Sequence, residues 1–122
     1  LLDLVESVIA PDIICWGSAL FCKKATGGKS TPWRQAGHYW PIKPLAKVTV
    51  WIAIDPATVE NSYLWVIPGS HINKKLYDHK ANPSDEVVLN QKLNIAALDL
   101  NAPHDLLLDA GEFSVDDVFH EP

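Results

Sequence analysis

The sequence predicts a mainly β domain, a sandwich or jelly roll preceded by one helix. Three observations carry this expectation: short runs rich in β-branched and aromatic residues, turn signals at regular intervals between them, and a helical stripe confined to the first residues.

The opening stretch "LLDLVESVIAPD" places Leu1, Leu4, Val5 and Val8 at helical spacing, and Pro11 stops the pattern. "DIICWGSALFCKK" (12 to 24) carries too many β-branched and aromatic residues for a surface helix and is expected to form a buried strand. "ATGGKSTP" is a glycine-rich connection whose spacing does not match a phosphate-binding loop. "AKVTVWIAID" (46 to 55) alternates Val48, Val50, Ile52 and Ile54 with Thr49, Trp51 and Ala53. Both sets are largely apolar, so this strand is expected to be covered on both faces. "PATVENS" turns the chain, and "YLWVIPGSH" adds a short strand that ends at Pro68 and Gly69. Residues 72 to 100 turn polar and irregular, with "DHKANPSDE" expected as an exposed insertion. "HDLLLDAGEFSVDDVF" supplies two strands separated by a turn at Asp109, Ala110 and Gly111.

With 122 residues, 48% hydrophobic and 20% charged, the chain reads as a single ordered domain, 1 to 122. No apolar run approaches the roughly 20 residues of a membrane-spanning helix. A net charge of −5, from 15 acidic and 10 basic residues, argues against a nucleic-acid backbone as partner. Cys15 and Cys22 sit among apolar neighbours and are expected as buried, reduced thiols, which points to a cytoplasmic protein. His79 and His104 lie among polar residues and are expected at the surface, and His71 is expected to serve its turn.

Four stretches in order carry a resemblance to a known family: "PDIICWGSALFCKK", "TPWRQAGHYWPIKPLAKVTVWIAID", "TVENSYLWVIPGSH" and "GEFSVDDVFH". Together they resemble the phytanoyl-CoA dioxygenase family of iron(II)- and 2-oxoglutarate-dependent oxygenases. The resemblance implies a double-stranded β-helix, here incomplete at both ends, with Fe(II) and 2-oxoglutarate as cofactors and a small organic molecule as substrate. It also implies an iron held by a His-x-Asp pair and a distal histidine on one face of an octahedron.

At the positions expected for that pair stand Arg34 and Ala36. Arginine stays protonated and offers no lone pair, and alanine has no donor atom, so neither is a metal ligand. Related halogenases are similar in having a small residue at the carboxylate position, which fits Ala36 but leaves Arg34 unexplained. His38 would share a face with positions 34 and 36 in an extended strand. It is either a replacement ligand or a pocket-lining or surface histidine. By resemblance, Tyr39 and Trp40 would line the substrate opening alongside it, and Trp51 would stand near the cosubstrate; on the residues alone, Tyr39 and Trp40 equally cover the end of the sheet and Trp51 is a core tryptophan. In "GEFSVDDVFHEP", His120 is either the distal ligand in a shifted register or a histidine near a terminus, and Asp116 stands where the nearer histidine is expected. Asp116 and Asp117 are adjacent on a strand, so they point to opposite faces and do not form one site. Arg34 is the only arginine in the chain, and the strand that would carry a cosubstrate-binding arginine does not appear.

Three functional hypotheses follow. The chain is an oxygenase that couples 2-oxoglutarate decarboxylation to hydroxylation, or a metal-deficient binding or interaction module on the same fold, or a metal enzyme with a reorganised set such as His38 and His120. Oligomeric state is open.

Overall fold

The computed structural model describes residues 1–40, 42–43, 47–84, 87–94 and 103–119. A short helix, α1 (Leu2–Ile9), opens the chain, and Ala10 at φ 75° ends it one residue before Pro11. Only Val5 of its apolar stripe is buried. A 3-10 turn spans Ala36–Tyr39. Among the described residues, the strands that follow are β1 (Val48–Ile52), β2 (Leu64–Val66), β3 (His79–Ala81), β4 (Gln91–Leu93), β5 (His104–Leu106) and β6 (Phe113–Asp117).

The strands pair antiparallel as β1 with β6, β2 with β5 and β3 with β4. The described part of the chain is therefore mainly β. The β1 and β6 register runs from Val48 opposite Asp117 to Ile52 opposite Phe113. A turn precedes β6: Glu112 N–H donates to the Asp109 carbonyl at 3.0 Å, and Gly111 N–H donates to the Ala53 carbonyl at 2.7 Å. Gly111 takes φ 90°, a backbone state that a side chain disfavours, so the glycine here is required by geometry. The 56 to 62 turn is held by Asn61, whose Oδ1 accepts from Thr58 N–H at 2.7 Å while its Nδ2 donates to the Pro56 carbonyl at 2.6 Å.

Among the described residues, the buried apolar positions are Val5, Ala53, Ala57, Val66, Ile67, Leu93 and Val118. Residues 33 to 37 thread between two parts of this framework. The Trp33 carbonyl accepts from Leu93 N–H at 2.8 Å, and Gly37 N–H donates to the Val118 carbonyl at 2.9 Å. The segment thereby joins β4 to the end of β6.

Four expectations are corrected. Residues 12 to 24 form no strand, and Ile14 is 86% and Leu20 75% exposed. Apolar β-branched content marks a segment that could pair, but among the described residues no strand pairs with it. Cys15 and Cys22 are free thiols, as expected, but both are exposed rather than buried. β1 is not covered on both faces, because its residues are half-buried and Ile52 is exposed. Finally, the polar stretch after Ile72 contains the β3 and β4 hairpin, and Leu93 at its end is only 1% exposed.

Candidate functional site

The site is built around Gln35. It is fully buried, and its backbone is extended (φ −112°, ψ 129°) immediately before the 3-10 turn. Its Nε2 donates to the carbonyls of Lys75 at 2.9 Å and Phe119 at 3.0 Å, and its Oε1 accepts from Tyr77 N–H at 2.7 Å. These bonds tie the Arg34 to Ala36 segment to the chain before β3 and to the chain after β6. The buried amide is well satisfied, as a polar group in a core must be.

Extended backbone at Gln35 sends its neighbours' side chains away from the clamp. Arg34 and Ala36 are both half-buried. Burial lowers the Arg34 pKa, with the nearby Tyr39 phenol opposing that shift. Tyr39 is exposed, and its partial desolvation raises the phenol above its ordinary value while Arg34 pulls it back.

The 3-10 turn ends the alternation expected for an extended strand, so His38 does not simply share a face with positions 34 and 36. Instead His38 is exposed and stacks on His79, with ring centroids 3.9 Å apart and planes 18° from parallel. Tyr39 meets both imidazoles edge-on, at 5.5 Å from His38 and 5.7 Å from His79. His79 is half-buried, contrary to the exposure its polar neighbours suggested; His104 is exposed as expected. No local signal in "YDHKA" gives away the contact, which depends on where the β3 and β4 hairpin packs.

Both nitrogens of His79 are engaged. Gln35 N–H donates to Nε2 at 3.2 Å, and Nδ1 lies 3.0 Å from the Tyr77 carbonyl. A carbonyl only accepts and an amide N–H only donates, so the ring is neutral with its proton on Nδ1. Its pKa is lowered, chiefly by desolvation, partly opposed by the Tyr77 carbonyl, with His38 adding to the lowering and Asp78 opposing it. No lone pair on His79 is left for a metal.

Trp40 forms a second layer. The Lys47 ammonium sits 3.4 Å from its ring centroid, and Trp16 packs against it edge-on at 6.4 Å. Partial burial lowers the Lys47 pKa. Trp33, Trp65 and Tyr63 make a separate aromatic row, with centroids 6.1 and 5.9 Å apart. Trp51 sits half-buried in β1 opposite Ser114, and among the described residues no ring contact joins it to the His38 and Tyr39 group. Ser114 donates to Asp116 at 2.9 Å, and Asp117 accepts from Phe119 N–H at 2.8 Å, so the two acids serve separate local bonds. His120 lies outside the described residues.

Two shallow concavities among the described residues lie elsewhere. One, about 420 Å³, is bounded by Leu2, Asp3, Glu6, Asp12, Ile13 and Cys15; the other, about 300 Å³, lies at Ala57 and Leu108. No helix among the described residues is long and apolar enough to cross a membrane.

The mainly β framework is similar to that of a solved non-haem oxygenase. A solved non-heme monooxygenase, ThoJ in its apo form, superposes on 98% of this chain and 43% of its own with a TM-score of 0.77 and 28% identity. The phytanoyl-CoA dioxygenase (PhyH) family model matches residues 1–109, and the chain belongs to that family. Phytanoyl-CoA dioxygenase domain-containing protein 1 of Danio rerio is 37% identical over 71 residues, which are 57% of this chain and 22% of the relative. The chain thus spans about a fifth of that relative's length and less than half of the solved structure's.

The iron implied by the family does not fit the residues present where its ligand pair is expected. Arg34 is a donor-only cation and Ala36 carries a methyl group. His79, the imidazole stacked on His38, has no free lone pair to add as a second ligand. Among the described residues, no three His, Cys, Asp or Glu side chains lie together as a metal site would require.

Proposed function

We propose that this chain is a metal-deficient member of its oxygenase family, a binding module for a small organic molecule on a double-stranded β-helix framework. The parent reaction of the family, hydroxylation coupled to 2-oxoglutarate decarboxylation, is not carried out at this site. The observation that supports this reading most strongly is the pairing of Arg34 and Ala36 around an intact Gln35 clamp. The segment is still held in place from both sides, while the atoms that would grip a metal are gone.

In this reading the chain's own groups do three things. Gln35 fixes the segment, His79 orients His38 by stacking, and Tyr39 with Trp40 presents ring faces and edges to a ligand. A reorganised metal set built on His38 finds no further two His, Cys, Asp or Glu side chains grouped with it among the described residues. The test is succinate formation from 2-oxoglutarate with added Fe(II) and ascorbate. Succinate at the chelator-treated background level is expected. Turnover above it that depends on Fe(II) would overturn the reading.

A further inference from the structure

The stretch from Ile14 to Ser30 is exposed throughout, and its first part is apolar: Ile14 is 86%, Leu20 75%, Phe21 71% and Trp16 59% exposed. No bend or turn interrupts the backbone from Ile13 to Lys24, so the segment runs extended. Ile14, Trp16 and Leu20 then share one face, and Cys15 and Phe21 share the other. The segment is held against the domain at two points. Trp16 packs edge-on against Trp40 at 6.4 Å, and Ile13 and Cys15 line the same concavity as Asp3 and Glu6 of α1. Among the described residues, no backbone hydrogen bond joins residues 13–24 to a strand. An extended apolar edge of this kind is a template for a further strand.

The charges select which strand fits. Residues 13–22 carry no charged side chain, while Asp12 stands at one end and Lys23 with Lys24 at the other. Asp3 and Glu6 lie beside Asp12 and make that end more acidic. A second copy laid antiparallel, with the two-fold axis at Ser18, sets Asp12 opposite Lys24, Ile14 opposite Cys22 and Trp16 opposite Leu20, each pair occurring twice. The acidic end of each copy meets the basic end of the other, and the neutral middle pairs apolar with apolar. Parallel pairing in register would set acid against acid and lysine against lysine. The surface is sufficient as well. The chain exposes 8740 Å². A compact protein of its 13.5 kDa exposes about 6,500 Å², and a stable dimer takes only about 800 Å² from each partner.

We propose that residues 12–24 are a self-association edge, on which a second copy of this chain adds an antiparallel strand to make a two-fold dimer. This is independent of whether the domain holds a metal.

The test is light scattering after size exclusion, with reductant present. A mass twice the 13.5 kDa of one chain is expected at about 100 µM. A single-chain mass at that concentration overturns the proposal and leaves the edge to a partner other than this chain, and assemblies larger than a dimer overturn its two-fold closure. Lys24→Glu sets acid against Asp12 and is expected to weaken the dimer at least about tenfold, with Asp12→Lys added to it restoring the association. Ile14→Cys reads the register. Opposed residues stand about 4.5 to 5.5 Å apart between Cα atoms, within disulfide reach, so mild oxidation is expected to join the introduced thiol to Cys22 of the second copy. Within one extended chain those two positions lie about 26 Å apart and do not join. The unaltered chain, whose Cys15 and Cys22 point to opposite faces, is expected to stay unlinked. Asp12, Ile14 and Lys24 are all exposed, so these variants test pairing and not folding. An affinity unchanged by Lys24→Glu, or an Ile14→Cys chain that links no faster than the unaltered one, overturns the proposal.

Discussion

Replacing Gln35 with alanine should be the most damaging single change in the described structure. The side chain is fully buried and makes three hydrogen bonds, to Lys75, Tyr77 and Phe119. Its removal strands two carbonyls and one N–H, each worth about 1 kcal/mol as a bond and more as an orphan, and it opens a cavity as well. The sum is roughly 3 to 5 kcal/mol, a large part of the total stability of an ordinary domain. Urea unfolding followed by tryptophan fluorescence measures it, because five tryptophans report on the fold. Gln35→Met separates the causes: it refills the space but leaves the same three groups unpaired, so it should recover only the cavity part. Gln35→Glu adds a sign. One carboxylate oxygen can accept from Tyr77 N–H, but the other would face two carbonyl oxygens, so the folded state favours the protonated acid and raises its pKa. The native state then binds more protons than the unfolded state, and the variant should lose stability relative to the parent as pH rises from about 4 to 7. A loss below about 1 kcal/mol in both Gln35→Ala and Gln35→Met would refute the role given to this clamp.

Other expectations are as specific. His79 is held neutral and its folded pKa is lowered, so its contribution is complete above the unfolded value of about 6.5 and is lost as pH falls through that value toward the folded one. His79→Phe keeps a ring under His38 but removes the titration, so the gap between parent and variant stability should narrow from pH 7.5 to 5.5 in thermal unfolding. Gly111→Ala meets no neighbouring atom within 4 Å, so its cost is that of φ 90° alone, about 1 kcal/mol by urea unfolding. Arg34→His combined with Ala36→Asp restores two donors on the clamped segment and should tighten cobalt(II) binding at least about tenfold over the parent in a competition titration.

The sequence was most legible where one local rule decided the outcome. The alternation around Val48 to Ile52 marks β1, the helical stripe before Pro11 marks α1, and Asp109 to Gly111 marks the turn before β6. Residues 12 to 24 misled because apolar, β-branched content shows what could be buried, not what partner covers it. The β3 and β4 hairpin was hidden for the opposite reason, since its strands are short and polar and only Leu93 anchors them. At the candidate site, the identities of Arg34 and Ala36 were plain from the family pattern. The roles of Gln35 and His79 were not, because both depend on partners some 40 residues or more away along the chain. His38 changed role because the chain tightens into a 3-10 turn just after Gln35, where alternation along a strand no longer applies.

Arg34 and Ala36 offer a metal no donor atom, and titration of the unaltered protein with cobalt(II), followed by visible absorption, tests whether the proposed metal-free site is real. Only weak, non-saturating changes are expected, unaffected by Arg34→Gln. A saturable spectrum with one cobalt per chain at micromolar concentrations would contradict the proposal.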